Sequence, residues 1–344
     1  MKTHKLHRWR RAAQQLRSRF NCKALILMYH GVAEVGSDPW SLFVTPQHFA
    51  EHLEVLRQYA RPMRLRRLTQ AFEYVRLASR SVAVTFDDGY ANNLHNARPL
   101  LERYDMPATV FLTTGYLGGA CEFWWDELDR LFLQPGTLPE TLELRIQGNT
   151  HQWELGAAAY YPETVCREYR NWRAWEEAPT PRHALYASLW QLLQPLPEDE
   201  RHSIVAELRA WAGAVPAARP THRSLALQEV FALAQGNLVD VGSHTVTHPL
   251  FPALSLSMQR GEIQQSKTYL ESVLGHPVTS FCYPYGAYTA ETVNLVREAG
   301  FACACSTSTG TVGRCTDRWQ LPRVCIEDCD GDELAKQLSM WFDG

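Results

Sequence analysis

The sequence lacks three features: a hydrophobic run long enough to cross a membrane, a secretory signal with an apolar core and cleavage site, and any CxxC cysteine pair. The apolar segment 24–29, ALILMY, is too short for a bilayer and predicts a β-strand. The nine cysteines are scattered, and Cys303 and Cys305 alternate in a strand-like run where they cannot readily pair with each other. We therefore expect reduced thiols and a cytoplasmic protein.

Charge of one sign is also scarce, because 34 Lys and Arg residues nearly balance 37 Asp and Glu residues. Nucleic acid is consequently not an expected partner. The exception is the N-terminal arm, residues 1–23, whose first 20 residues alternate basic side chains with Trp9, Leu16 and Phe20. A basic amphipathic helix can lie on an anionic membrane surface, which would place the protein at the inner membrane face. A solvated helical arm packed on the domain is the preferred interpretation.

Over residues 24–344, short apolar runs alternate with amphipathic helical patterns, which predicts an α/β fold with a mostly parallel sheet. Seven or eight such units predict a closed or nearly closed (β/α) barrel. The predicted helices include Pro46–Tyr59, Ser255–Leu274 and Thr289–Ala299, of which the last two end at glycine. The predicted strands are Leu25–His30, Met63–Leu65, Val82–Phe86, Ala108–Leu112, Leu238–Val241, Val278–Tyr283, Phe301–Cys305 and Leu321–Ile326.

One region, about residues 115–236, breaks this alternation and predicts a large helical insertion. Helical patterns cover Trp124–Leu133, His183–Leu193 and Glu198–Ala212, and prolines separate them. The region is rich in aromatic side chains, which can stack on sugar rings or simply pack a helix onto the barrel. Packing is the preferred interpretation for Trp124 and Trp125, whereas both interpretations stay open for Trp172 and Trp175.

Polar side chains follow four of the predicted strands, at the point where each strand ends. His30 follows the first strand, Asp87 and Asp88 follow the third, and His244 and His248 come after the strand that follows the insertion. The next strand ends in the turn FCYPYG, which contains Tyr285. In a (β/α) barrel the active site lies at the carboxyl ends of the strands, so we expect these residues to meet in one site.

The adjacent carboxylates Asp87 and Asp88 suit two different tasks, since one can bind a cation while the other stays free as a base. Capping of the following helix is the alternative, because a helix N-terminus favours negative charge. His244 and His248 are four residues apart, which on a helical turn places both rings on one face. With Asp88 they form a three-ligand set typical of catalytic zinc, although Co, Ni or Fe(II) would also fit. Two surface or core histidines are the alternative.

In their order along the chain, the segments TFDDG, SHTVTHP and FCYPYG resemble the polysaccharide deacetylase family with the NodB-homology domain, carbohydrate esterase family 4. The resemblance covers about residues 24–115 and 237–330. It implies a distorted (β/α) barrel, usually of seven strands, that removes acetyl groups from N-acetylated sugars with a divalent metal. By motif position it implies Asp87 as general base, a metal held by Asp88, His244 and His248, and the Tyr285 amide as oxyanion donor.

Two departures from the family pattern concern the groups around the base. The family often has an arginine before the Pro-Tyr turn, where this chain has Cys282 or Tyr283; Arg323, in LPRVC, is a candidate replacement. The family's C-terminal Leu-x-His motif is absent, but LMYHG at the front is similar to the permuted arrangement of exopolysaccharide deacetylases. The resemblance therefore implies His30 as general acid, with a core histidine as the alternative.

These observations predict a metal-dependent N-deacetylase of an amino sugar in a glycan or glycan precursor, with zinc as the first candidate metal and cobalt or nickel as substitutes. The expected partner is an N-acetylated saccharide. Fold does not fix substrate, so two alternatives stay open. One is a hydrolase of another C–N bond, in a cyclic amide or ureide, and the other is a non-catalytic glycan-binding module.

Overall fold

The computed structural model describes residues 23–74, 78–118 and 121–343. Its centre is a closed barrel of seven parallel strands surrounded by helices, as the sequence predicted. The strands follow one another around the barrel in chain order, and β1 closes it by pairing with both β2 and β7. They are β1 (Ala24–Tyr29), β2 (Ser81–Phe86), β3 (Ala108–Leu112), β4 (Val239–Ser243), β5 (Ser280–Cys282), β6 (Cys303–Thr309) and β7 (Leu321–Cys325).

The barrel strands are continuous apolar runs because both of their faces are covered. Every residue of β1 and of β2 is buried, which is the pattern of a parallel sheet between a filled interior and an outer layer of helices. One face of β1 packs in the large core with the outer helices, and the other joins a smaller cluster containing Cys282, Cys303 and Cys305. The cysteines of the described residues are free thiols, as expected.

Three of the helices around the barrel begin and end where their sequence signals predict. Thr45 caps Pro46–Tyr59, Ser255 caps Leu256–Leu274 and Thr289 caps Ala290–Glu298, each through a side-chain oxygen that accepts a backbone N–H. Further outer helices are Leu65–Tyr74, Arg98–Arg103, Leu227–Ala234 and Gly331–Asp343. No helix among the described residues is long and apolar enough to span a membrane. The basic residues 1–20 lie outside the described part of the chain.

The predicted strand Met63–Leu65 is wrong. A two-residue strand, Arg61–Pro62, pairs with the start of β2 outside the barrel, and a helix begins at Leu65. Leu65 and Leu68 are both buried at helical spacing, so their burial on a helix outweighs the short apolar run.

The insertion between β3 and β4 has its own hydrophobic core, to which Leu128, Leu144, Tyr186 and Leu208 contribute. Its helices are Trp124–Phe132, Glu163–Glu168, Pro181–Leu193 and Glu198–Trp211. It also contains antiparallel strands, Thr141–Ile146 with Asn149–Glu154 and Gly136–Thr137 with Tyr160–Tyr161, which the helical prediction did not include. The first hairpin turns at Gln147 and Gly148, both with positive φ, and its second strand is polar, which hides it from a search for apolar runs.

A buried arginine ties the insertion together. Arg182 is 1% exposed, and its guanidinium donates to four backbone carbonyl oxygens, those of Phe132, Gly136, Ala158 and Ala159. These bonds join the end of one helix to the strand pair Gly136–Thr137 and Tyr160–Tyr161.

Replacing Arg182 by methionine should lower the free energy of unfolding by about 3 kcal/mol, because four carbonyls, two of them in buried bonds, lose their donor. Urea denaturation would measure the change. The matched control is Arg167→Met, which removes an arginine that is 76% exposed and should change stability by less than about 0.5 kcal/mol. Equal effects of the two variants would contradict this role for Arg182.

Candidate active site

The carboxyl ends of the strands surround a cavity of about 150 Å³. Six of the seven predicted site residues line it, namely His30, Asp87, Asp88, His244, His248 and Tyr285. The seventh, Arg323, is fully buried in the barrel directly against Asp87. The predicted residues therefore lie together at the carboxyl ends of the strands, although Asp87 and Arg323, for example, are 236 positions apart in the chain.

The Asp87 side chain is bonded to an arginine of strand β7. Arg323 donates from Nη1 to Asp87 Oδ1 at 2.8 Å and from Nη2 to Oδ2 at 2.6 Å, a bidentate pair. The Cys282 thiol lies 3.4 Å from Asp87 Oδ2 and 3.0 Å from Arg323 Nη2. Arg323 therefore makes the contact that the sequence suggested for it, and Cys282 occupies the space beside the pair.

The charge state of Asp87 follows from these contacts. Burial alone would raise the pKa of its carboxyl group, but the charge and hydrogen bonds of Arg323 outweigh burial and hold the pKa well below its usual range. Asp87 is therefore a carboxylate at neutral pH, with both oxygens already bonded to the guanidinium.

The Asp88 side chain lies against the two histidines rather than against Arg323. Asp88 has φ of +70°, a left-handed conformation that costs strain in a non-glycine residue. Its Oδ1 lies 3.5 Å from Nε2 of His244 and 3.5 Å from Nε2 of His248, and it has no hydrogen-bond partner although it is buried. One ligand atom from each of the three residues lies within 4.8 Å of the other two. An orphaned carboxylate oxygen between two imidazole nitrogens fits a divalent cation, which would pair with all three.

The two histidines converge for a different reason from the one that their spacing suggested. Residues 244–248 are not helical, because Thr245 and His248 have φ of +70° and +55°, and the segment forms a tight bend. The rings still come within 4.8 Å of each other, measured between centroids. His244 Nδ1 donates to the carbonyl of Cys282 at 2.8 Å, which turns its Nε2 toward Asp88.

Two charged side chains hold this bend from opposite sides. Glu262 accepts from the backbone N–H groups of Val246 and Thr247 at 2.8 and 2.9 Å. Arg201, which is 1% exposed, comes from the insertion and donates to the carbonyl of Thr247 at 3.0 Å. The insertion therefore helps to fix the position of His248.

Two aromatic side chains also reach His248, one from the insertion and one from the turn after β5. Trp125 and Tyr285 contact its ring at centroid distances of 4.9 and 4.5 Å. Burial first, and then the nearby His244, lowers the pKa of His248 to about 3, so its ring is neutral at physiological pH. The preferred interpretation of Trp125 as a packing residue was incomplete, since it is buried and also lines the cavity.

The turn that carries Tyr285 depends on glycine. Tyr285 and Gly286 both have positive φ, of 56° and 64°, and a Cβ at Gly286 would lie 1.9 Å from Oγ1 of Thr307. Only glycine allows this approach, which sets Tyr285 at the rim of the cavity.

Sequence reasoning missed several residues that line the cavity, namely Trp40, Leu42, Trp190 and Thr307. They come from a loop after β1, from the insertion and from the end of β6. None belongs to a short motif, and no local pattern marks them.

Comparison with known proteins places the two motif-bearing parts of the chain beside a known family. The sequence profile of the polysaccharide deacetylase family matches residues 75–137 and 220–304, on both sides of the middle of the insertion. Over these two segments, which together make up less than half of the chain, the protein resembles the polysaccharide deacetylase family. It is 31% identical over 88 residues, 26% of its length, to the polysaccharide deacetylase homologue YxkH of Bacillus subtilis. That match spans only 32% of YxkH.

Solved structures show the same fold over most of the chain. IcaB from Ammonifex degensii superposes with a TM-score of 0.57 at 17% identity, over 94% of this chain and 99% of that one. The Streptococcus pyogenes deacetylase PplD, solved in complex with acetate, gives a TM-score of 0.56 at 17% identity, over 92% and 98% of the two chains. At these identities the likeness concerns the barrel fold alone.

Proposed function

We propose that this protein is a polysaccharide deacetylase that hydrolyses the N-acetyl group of an amino sugar in a glycan or a glycan precursor. One observation carries the proposal: the adjacent carboxylates at the end of β2 have different partners. Asp87 is bonded to Arg323, whereas Asp88 faces His244 and His248. Asp87 is thereby left as a base and Asp88 as a metal ligand. Hydrolysis of an unactivated amide requires both roles.

Asp88, His244 and His248 would hold a divalent metal ion, for which zinc is the first candidate and cobalt or nickel fit the same ligands. Such an ion supplies electrophilic activation of the acetamide carbonyl and of the attacking water. The side chains around the ligands keep them in place, since His244 is oriented by the Cys282 carbonyl and His248 lies against Trp125.

The other residues act on protons and on developing charge. Asp87 removes a proton from the attacking water, and Arg323 keeps the carboxylate ionised and fixed in orientation. The Tyr285 N–H donates to the oxyanion that forms from the carbonyl oxygen. His30, half-buried at the end of the adjacent strand β1, protonates the leaving amine, so that acetate and a free amino sugar result.

Replacing His30 by alanine should lower the rate of acetate release from N-acetylated sugars about 100-fold, because the amine leaves poorly without a proton. The loss should shrink to less than about 5-fold for an aryl acetate, whose leaving group needs no acid. Steady-state kinetics with both substrates, and zinc content as a control, would test this. An equal loss on both substrates would contradict the assignment of His30 as the acid.

The reaction class is tested by a panel of acyl substrates. Wild-type protein should release acetate from N-acetylglucosamine oligomers, and the amine should appear in equal amount. Turnover of cyclic amides or ureides alone would support the second candidate, hydrolysis of another C–N bond. Glycan binding without turnover of any substrate would support the binding module.

We propose that the protein lies in the cytoplasm at the inner membrane face. Residues 1–20 would make a peripheral contact with the membrane. Pelleting with anionic liposomes should retain the full chain and lose a variant that lacks residues 1–20. Equal pelleting of both proteins would refute the contact.

A further inference from the structure

The notable surface feature is an exposed tryptophan beside the cavity. Trp175 is 59% exposed, whereas Trp172, three residues earlier, is 8% exposed and donates from Nε1 to the carbonyl of Glu177. The sequence left two interpretations, packing and sugar stacking, open for both residues. The structure distinguishes them, since Trp172 belongs to the core of the insertion and Trp175 does not. Single exposed apolar residues are ordinary, so exposure alone indicates nothing.

Trp175 is distinguished by its contact with Trp40, a residue that lines the cavity. Its ring lies 6.3 Å from that of Trp40, which in turn packs at 4.2 Å on Trp190. Trp190 reaches Tyr285 at 6.1 Å. Trp40, Trp190 and Tyr285 all line the cavity with the candidate catalytic and metal-binding side chains. Trp175, Trp40 and Trp190 form a continuous aromatic surface, here called the tryptophan platform, from the cavity to solvent.

The turn that presents Trp175 is held in place by hydrogen bonds. Within the turn, Glu176 N–H donates to the Arg173 carbonyl at 2.9 Å, and Arg173 N–H donates to the Glu176 carboxylate at 3.0 Å. The turn is bonded to the loop that carries Trp40, through Ala174 N–H to the Pro39 carbonyl at 2.8 Å. The Arg173 side chain adds a bond to the Asp38 carbonyl at 3.1 Å.

The loop that carries Trp40 is itself closed by one side chain. The Asp38 carboxylate accepts from the backbone N–H groups of Leu42 and Phe43 at 2.8 and 2.9 Å. Two separate segments of the chain are thus fixed so that their tryptophans meet at the rim of the cavity. A rigid aromatic surface costs little conformational entropy when a ligand covers it.

We propose that the tryptophan platform is a binding subsite for the sugar residues that flank the acetylated residue, so that the substrate is a saccharide chain rather than a single sugar. The inference rests on the proposed function, because the occupant is the continuation of the substrate out of the cavity. The apolar C–H face of a pyranose ring stacks on an exposed indole, and the polar backbone and side chains of the turn 173–176 lie beside it to meet hydroxyl groups.

The test compares long and short substrates in Trp175→Ala. The kcat/KM for an N-acetylglucosamine pentamer should fall about 10-fold, mainly through KM, because binding away from the reacting bond is lost. The kcat/KM for the monosaccharide should stay within about 2-fold. Trp175→Phe should keep most of the activity on the pentamer. Tyr160→Ala, which removes a residue of the insertion that is 63% exposed, is the matched control and should change neither value.

Two kinetic results would overturn the platform: equal losses on pentamer and monosaccharide, or no loss on either. Failure of the proposed function would look different, since wild-type protein would then release acetate from no saccharide. Calorimetric titration of the pentamer would still decide the inference in that case. Binding that is about 10-fold weaker in Trp175→Ala would support it, whereas equal binding, or no binding to either protein, would overturn it.

Discussion

Replacing Asp87 by asparagine should reduce acetate release about 1,000-fold or more while the protein keeps its metal. The amide cannot take a proton from water, and a well-placed general base contributes about 10²- to 10⁴-fold to such a reaction. The metal ligands are separate side chains, so zinc per chain should stay near the wild-type value. Kinetics and metal analysis on the same preparation would measure both. Full turnover in the variant would contradict the role of Asp87.

Stability needs its own control in this experiment, because Asp87 neutralises a fully buried guanidinium. Asp87→Asn leaves Arg323 without its charge partner and should cost about 3 to 5 kcal/mol of unfolding free energy. The double variant Asp87→Asn with Arg323→Met removes both charges and should recover much of that stability. It should remain inactive, which separates the loss of the base from a loss of folding.

The second large effect is expected at Asp88. Replacing it by alanine should abolish detectable turnover and lower metal affinity at least about 100-fold, because two imidazoles remain where three ligands were available. Equilibrium dialysis against zinc would measure the affinity. The control is Asp332→Ala, which removes an exposed carboxylate at the start of the last helix and should leave zinc binding unchanged. Undiminished zinc affinity in Asp88→Ala would exclude this residue as a ligand.

These two variants also separate the neighbouring carboxylates from each other. Asp87→Asn should be inactive with metal, and Asp88→Ala should be inactive without it. Loss of metal in both variants would mean that Asp87 is also a ligand, and retention in both would place the metal elsewhere.

The expectation that site residues lie at the carboxyl ends of the strands placed them correctly around one cavity, because the relevant side chains are attached to the barrel itself. His30 and Asp87 directly follow β1 and β2, so knowing the strands was enough to place them around one mouth. Arg323 lies within β7 and points at Asp87 from inside the barrel. The sequence identified it only as a candidate, because the spacing between distant strands cannot be derived from local pattern.

The features that sequence could not supply depend on contacts between distant segments. The i, i+4 spacing of His244 and His248 is compatible with a helix, but Thr245 adopts positive φ and the bend is fixed by Glu262 and Arg201. The tryptophan platform likewise exists only because residues 38–43 and 173–176 are bonded to each other. Such pairings are set by tertiary packing, which leaves no periodic signal in either segment.

The most direct test of the account is the metal dependence of acetate release by the wild-type protein. Chelator-stripped protein would be titrated with zinc while acetate release from N-acetylglucosamine oligomers is followed. The account predicts negligible release without zinc and a rise that saturates at one ion per chain, with cobalt or nickel able to substitute. Full release from protein shown to contain no metal would contradict it.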